Sequence, residues 1–151
     1  MKILLIDDLT VYTKKNEYTV HINDSKVLAE NVSELEVLKK ENKYCFKLSS
    51  IEHEGQKYIL KYSIEEGYKP IIRAKTYSNV LRLSILERIL AINPLEAFGD
   101  KVILHPQNIF FKDLKSIKFM YRSNKLIPYI HNYTDLEQYK LLVMSMISQY
   151  S

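Results

Sequence analysis

Four histidines, His21, His53, His105 and His131, and a single cysteine, Cys45, are the groups with which this 151-residue chain could bind a metal or build a nucleophile. A catalytic thiol needs a base or a positive cluster to hold it as thiolate, and Tyr44-Cys45-Phe46 offers no adjacent histidine or such cluster. Cys45 therefore reads as a small core residue, and one cysteine excludes an internal disulfide. A zinc site would need several of the scattered histidines. Taken singly, His105 and His131 read as surface or satisfied histidines. The three glycines, Gly55, Gly67 and Gly99, are too far apart to form a phosphate-cradling loop, which needs two or three in close succession.

Charge supplies a second candidate chemistry. Residues 1–66 hold ten Lys and Arg against twelve Asp and Glu, whereas residues 67–151 hold twelve against six. The basic excess runs from Lys69 to Lys125, with Arg73, Arg82, Lys112 and Lys118 in it, and it would suit an anionic partner such as an anionic membrane surface. Nucleic acid is not expected, because the tyrosines are spread over the whole chain rather than interleaved with the basic residues on one platform. Tyr121 and Arg122 stand out as a candidate recognition pair, Tyr and Arg being enriched among interface anchors. With 46% apolar residues the chain can bury a core as one domain, and no apolar run reaches the ~18 residues of a membrane span. A reduced, soluble setting is expected.

These residues must be positioned by local structure. Ile3–Ile6 and the alternating Tyr18–Ile22 read as strands, and apolar spacing from Asp24 to Lys40 predicts a partial helix. Tyr44–Ser50 and Lys57–Ile64 read as a hairpin joined by Glu52-His53-Glu54-Gly55-Gln56. Tyr77–Ile92 has helical periodicity behind Ser78 or Asn79 as a cap, and Pro94 stops it. Short strands are predicted at Val102–Leu104, Asn108–Phe111 and Ser116–Tyr121. Asp135–Ser148 follows as a helix that opens with a capping box, Thr134 to Glu137, and presents Leu136, Tyr139, Leu142, Val143, Met146 and Ile147 on one side. Strands followed by a mixture of helices and small strands make an α+β arrangement.

The segment His105-Pro106-Gln107-Asn108-Ile109-Phe110-Phe111, followed by Ser116-Ile117-Lys118-Phe119-Met120-Tyr121-Arg122-Ser123, resembles the catalytic segment of protein kinases. Pro106 and Asn108 match that family's proline and asparagine. The carboxylates that hold magnesium and accept the hydroxyl proton have no counterpart, since Ile103 stands at the catalytic aspartate's position and Tyr121-Arg122-Ser123 replaces Asp-Phe-Gly. Lys61 sits where a phosphate-pairing lysine could be, but no acidic residue lies between Gly67 and Arg82 to pair with it, and it reads as an outward-facing strand lysine. Pro106 and Asn108 then read as turn formers.

The chain is more closely similar to the N-terminal cytoplasmic domain of the EssB/YukC family of type VII secretion membrane proteins. The features that carry the resemblance are Ser84–Leu90, Leu104–Phe111, Lys125–Tyr129 and Leu136–Val143, with His105 in place of the family's alanine. The resemblance implies a reduced protein-kinase-like (pseudokinase) two-lobe fold, with a small β-rich N-terminal lobe at about 1–76 and a mainly helical C-terminal lobe at about 77–151. It also implies a non-enzymatic adaptor with no cofactor or metal, acting at the cytoplasmic side of the cell membrane. Implied partners are other secretion core subunits, including the secretion ATPase with forkhead-associated domains, and a second copy of the chain. A transmembrane helix is expected to follow in the parent protein. The alternative is a divergent ATP-binding kinase-like enzyme.

Overall fold

The structure, a computed structural model, describes residues 9–14, 17–22, 32–55, 57–121 and 133–147. The expected strand at Ile3–Ile6, the first part of the Asp24–Lys40 helix, Arg122, Lys125–Tyr129 and His131 lie outside these residues.

Two four-stranded sheets organise the described chain. The first has the order β1-β2-β5-β4 and is antiparallel throughout, with β1 Leu9–Lys14, β2 Glu17–Ile22, β4 Leu48–Glu54 and β5 Lys57–Ser63. Helix α1, Val32–Leu38, buries Leu35 and Leu38 in the same cluster as Leu60 and Tyr62 of β5. β4 and β5 form the predicted hairpin, but the strand runs on through Glu52, His53 and Glu54, so the turn is tighter than expected. Gly55 takes φ +63°, a left-handed conformation open to glycine at little cost.

The second sheet has the order β3-β8-β7-β6, built from β3 Cys45–Phe46, β6 Lys69–Pro70, β7 Ile109–Asp113 and β8 Ser116–Met120. The predicted continuous strand Tyr44–Ser50 is in fact two strands. Cys45 and Phe46 run parallel to Phe119 and Met120, and after Lys47 the chain joins the first sheet at Leu48. The carbonyls of Tyr44 and Phe46 accept hydrogen bonds from the amides of Phe119 and Tyr121, at 2.8 and 3.1 Å. Alternation alone cannot reveal such a change of partner, because both sheets offer a buried side.

Between β6 and β7 come a 3₁₀ helix, Ile71–Thr76, then α2, Asn79–Ile92, and α3, Pro94–Phe98. Ser78 caps α2 by accepting from the Leu81 amide at 3.3 Å. Asn93, at φ +52°, ends α2 in the left-handed region, and Pro94 opens α3 at once, so the proline begins a helix as well as ending one. The last helix, α4, Asp135–Ile147, opens with the expected capping box, Glu137 N–H to Thr134 Oγ1 and Thr134 N–H to Glu137 Oε1, both 3.2 Å. Its buried face is Gln138, Leu142, Ser145 and Met146; Leu136 and Ile147, expected on that face, are 63% and 48% exposed.

Val102–Leu104 is buried but pairs with no strand. The Leu104 amide is taken by the side chain of Gln138 on α4 at 3.1 Å, and the His105 amide turns back to Ile103 O at 2.9 Å. Their donors are thereby satisfied without a ladder.

Candidate functional site

One buried cluster takes side chains from both sheets and includes Ile103, the position at which the kinase resemblance would place a catalytic carboxylate. Ile103, Phe110 and Met120 from the second half of the chain pack into one buried cluster with Leu38, Phe46, Leu48, Leu60 and Tyr62. Edge-on aromatic contacts extend it, with Phe46 5.2 Å from Tyr68 and 5.5 Å from Phe110 between ring centres. Lys118 lies over the rings of Phe46 and Tyr68 at 5.2 and 5.8 Å and pairs with Glu65 at 2.7 Å. Among the described residues, side chains from both sheets pack against one another in this cluster.

Ile103, at the position of a kinase's catalytic aspartate, is 1% exposed and does the work of packing. Tyr121, where the metal-binding aspartate would stand, ties the two sheets together: its amide bonds to Phe46 O and its carbonyl accepts the Tyr62 hydroxyl at 3.1 Å. Its phenol titrates above the usual range, chiefly because it is partly buried and secondarily because Cys45 lies near. Asn108 is buried in a turn, its amide bonded to His105 O at 2.8 Å and its carbonyl accepting from Met120 at 2.9 Å. His105 is also buried, its Nδ1 accepting from the Gln107 amide at 3.1 Å. Pro106 completes this turn, its carbonyl accepting from Ile72. Lys61 reaches Glu52 on the adjacent strand at 2.9 Å, a cross-strand ion pair. Cys45 is buried, and desolvation pushes its thiol up to about 12 despite the opposing field of Lys118, so at neutral pH it is a protonated core group. Among the described residues no group of three or more His, Cys, Asp or Glu could hold a metal ion.

The basic residues picked out in the sequence do not share one face. Arg73 and Lys112 are exposed, the latter with its stem against Gly67. Arg82 corrects the expectation of a basic surface: it is 2% exposed, on the inner side of α2, with its guanidinium bonded to Asn79 Oδ1 at 2.9 Å. Lys118 is drawn inward by Glu65 and the two rings. The charge distribution puts Arg82 in a basic surface, whereas the geometry of α2 sets it beside Ile85, Leu86 and Ile89.

One concave feature escaped the sequence reading. At the corner of α2 and α3, Tyr44, Arg88, Ala91, Ile92, Ala97 and Phe98 line an open cleft of about 360 Å³. No motif announces it, because its walls come from three separated segments.

Two small sheets whose side chains share a buried cluster, with helices α2, α3 and α4 burying residues against the second, define a reduced, pseudokinase-like α+β fold. Solved structures agree. The chain is similar to the cytoplasmic fragment of Geobacillus thermodenitrificans EssB, with TM-score 0.69 and 15% identity over 95% of this chain and 69% of that one. It is similar to the Staphylococcus aureus EssB cytoplasmic fragment, with TM-score 0.62 and 16% identity over 88% and 77%. Rad53, solved in complex with AMP-PNP, gives TM-score 0.51 and 19% identity over 78% of this chain and 36% of Rad53. No curated protein matches the sequence. The family model for YukC of the WXG100 protein secretion system matches residues 22–151, and the chain belongs to that family.

Proposed function

We propose that this chain is a non-catalytic adaptor domain that helps assemble a type VII secretion machine at the cytoplasmic face of the membrane. Its partners in this reading are other core subunits of that machine, including the secretion ATPase with forkhead-associated domains, and a second copy of the chain. The observation that supports the reading is that Ile103 and Tyr121 stand where phosphoryl transfer would need carboxylates, to hold magnesium and accept a proton. Phe46, Tyr62, Tyr68, Phe110 and Met120 lie in or against the same buried cluster as Ile103. Membership of a secretion family supports the same direction.

Magnesium and ATP added to the protein test it. The expected outcome is an unchanged melting temperature; a rise of several degrees would sink the adaptor reading in favour of a divergent ATP-binding enzyme. Secretion subunits should co-purify with the full-length membrane protein, and their absence from such a pull-down would also count against it. Of the basic residues, Arg73 and Lys112 remain exposed to meet anionic lipid, each worth up to about 1 kcal/mol near such a surface. Co-sedimentation with vesicles that is indifferent to anionic lipid content and salt would remove that part.

A further inference from the structure

The cleft at the α2–α3 corner differs from the cluster shared by the sheets in chemistry as well as in being open. Its floor is aromatic: Tyr44 and Phe98 stand 6.2 Å apart at 51°, and Phe98 continues inward to the fully buried Phe119 at 6.1 Å. Its rim is positive. Arg88 is exposed and lines the cleft, and Lys43 lies over the Tyr44 ring at 5.3 Å. The acidic residues nearby in sequence are otherwise engaged, Glu96 by the Asn93 side chain and Asp100 by Lys101 at 3.0 Å, while Glu87 does not line the cleft.

The walls are also fixed in advance. The Tyr139 hydroxyl of α4 donates to Asn93 Oδ1 and accepts from the Leu95 amide at 3.2 Å, which pins the α2–α3 corner to a third helix. A preformed pocket of this volume, aromatic below and cationic above, is suited to an apolar side chain with an adjacent carboxylate. Tyr, Phe and Arg are the residue types that most often anchor protein interfaces.

We propose that this cleft is a docking site for a short acidic segment of a partner protein, with one aromatic or aliphatic side chain seated against Tyr44 and Phe98 and a neighbouring carboxylate paired with Arg88. The proposal deepens the adaptor reading and rests on it. Charge complementarity selects the occupant: a basic segment would meet Arg88, and a wholly apolar one would leave that cation unused.

The test is a methyl and amide NMR titration of the protein with short synthetic peptides, each carrying one Phe flanked by Asp and Glu, against the same peptides with Lys at the acidic positions. Saturable shifts at Ala91, Ile92 and Ala97 are expected with the acidic set alone. Arg88→Glu should weaken binding about tenfold or more, and Ala97→Arg, at an exposed wall position, should block it. Lys115→Glu, exposed and outside the cleft, should leave the affinity unchanged. Equal shifts with acidic and basic peptides, undiminished binding by Arg88→Glu, or no shift up to about 1 mM peptide would each overturn the proposal. The amide spectrum of each variant reports its folding. Failure here is separable from failure of the adaptor reading: shifts with magnesium-ATP at Phe46 and Phe110 would overturn that reading, while silent peptides overturn only the cleft.

Discussion

Two regions of this molecule treat their aromatic side chains in opposite ways. In the cluster shared by the two sheets, side chains from distant stretches of chain bury one another, and Lys118 beside it pairs with Glu65 and lies over two rings. At the α2–α3 corner the aromatic floor is left open and the cation, Arg88, is exposed. The first arrangement gains stability from burial. The second forgoes that burial and keeps a surface on which another molecule can gain it.

Substitutions can break this contrast. The largest effect is expected in the shared cluster: Phe110→Ala removes an aromatic side chain that is 2% exposed and should cost about 3–5 kcal/mol in urea denaturation. Arg88→Glu in the cleft should stay within about 0.5 kcal/mol. Similar costs for both would erase the distinction. Next comes Cys45, on the far side of the second sheet. Its thiol ionises near 9.0 when unfolded and at about 12 when folded, so the stability it contributes is complete below pH 9 and is lost as pH rises toward 12. Stability measured across that range should fall in the wild type and fall less in Cys45→Ala. A native thiol that reacts with a disulfide reagent at pH 8 as fast as the unfolded one would contradict its burial.

Smaller effects sharpen the cleft side. Tyr139→Phe deletes the hydroxyl shared by Asn93 and Leu95 and should cost about 1–2 kcal/mol, with amide shift changes centred on α3. Its phenol is held above the usual range mainly by burial, so titration of Tyr139 should begin later than that of an exposed tyrosine. The smallest change is expected for Glu65→Gln. That pair is 2.7 Å apart, but Glu65 is 60% exposed and Lys118 keeps its ring contacts, so the loss should be under about 1 kcal/mol and should shrink in salt.

Local elements were legible to the extent that their signals are local. Ser78, Asn93 and Pro94 bracket α2, and Thr134 with Glu137 starts α4, because capping is chemistry within one turn of chain. The strands expected at Asn108–Phe111 and Ser116–Tyr121 are found, with slightly different ends, at Ile109–Asp113 and Ser116–Met120, because a short apolar run between turn residues is also a local signal. The change of sheet at Lys47, the unpaired path of Val102–Leu104 and the burial of Arg82 were not, since each depends on a partner distant in sequence: Phe119 and Met120, Gln138, and the apolar neighbours of α2. Of the candidate surface, Arg73 and Lys112 are exposed as their charge predicts, whereas the cleft at Tyr44, Arg88 and Phe98 had no sequence signature.

What the sequence determined by itself is chemical inventory. Ile103 in place of an aspartate, Tyr121 in place of another and three scattered glycines state which reactions lack their reagents, and that follows from side-chain identity without coordinates. Tertiary structure alone decided which side chains are buried together and which line the open cleft. Burial and access are properties of surfaces brought together from distant segments, and no single stretch of chain carries them.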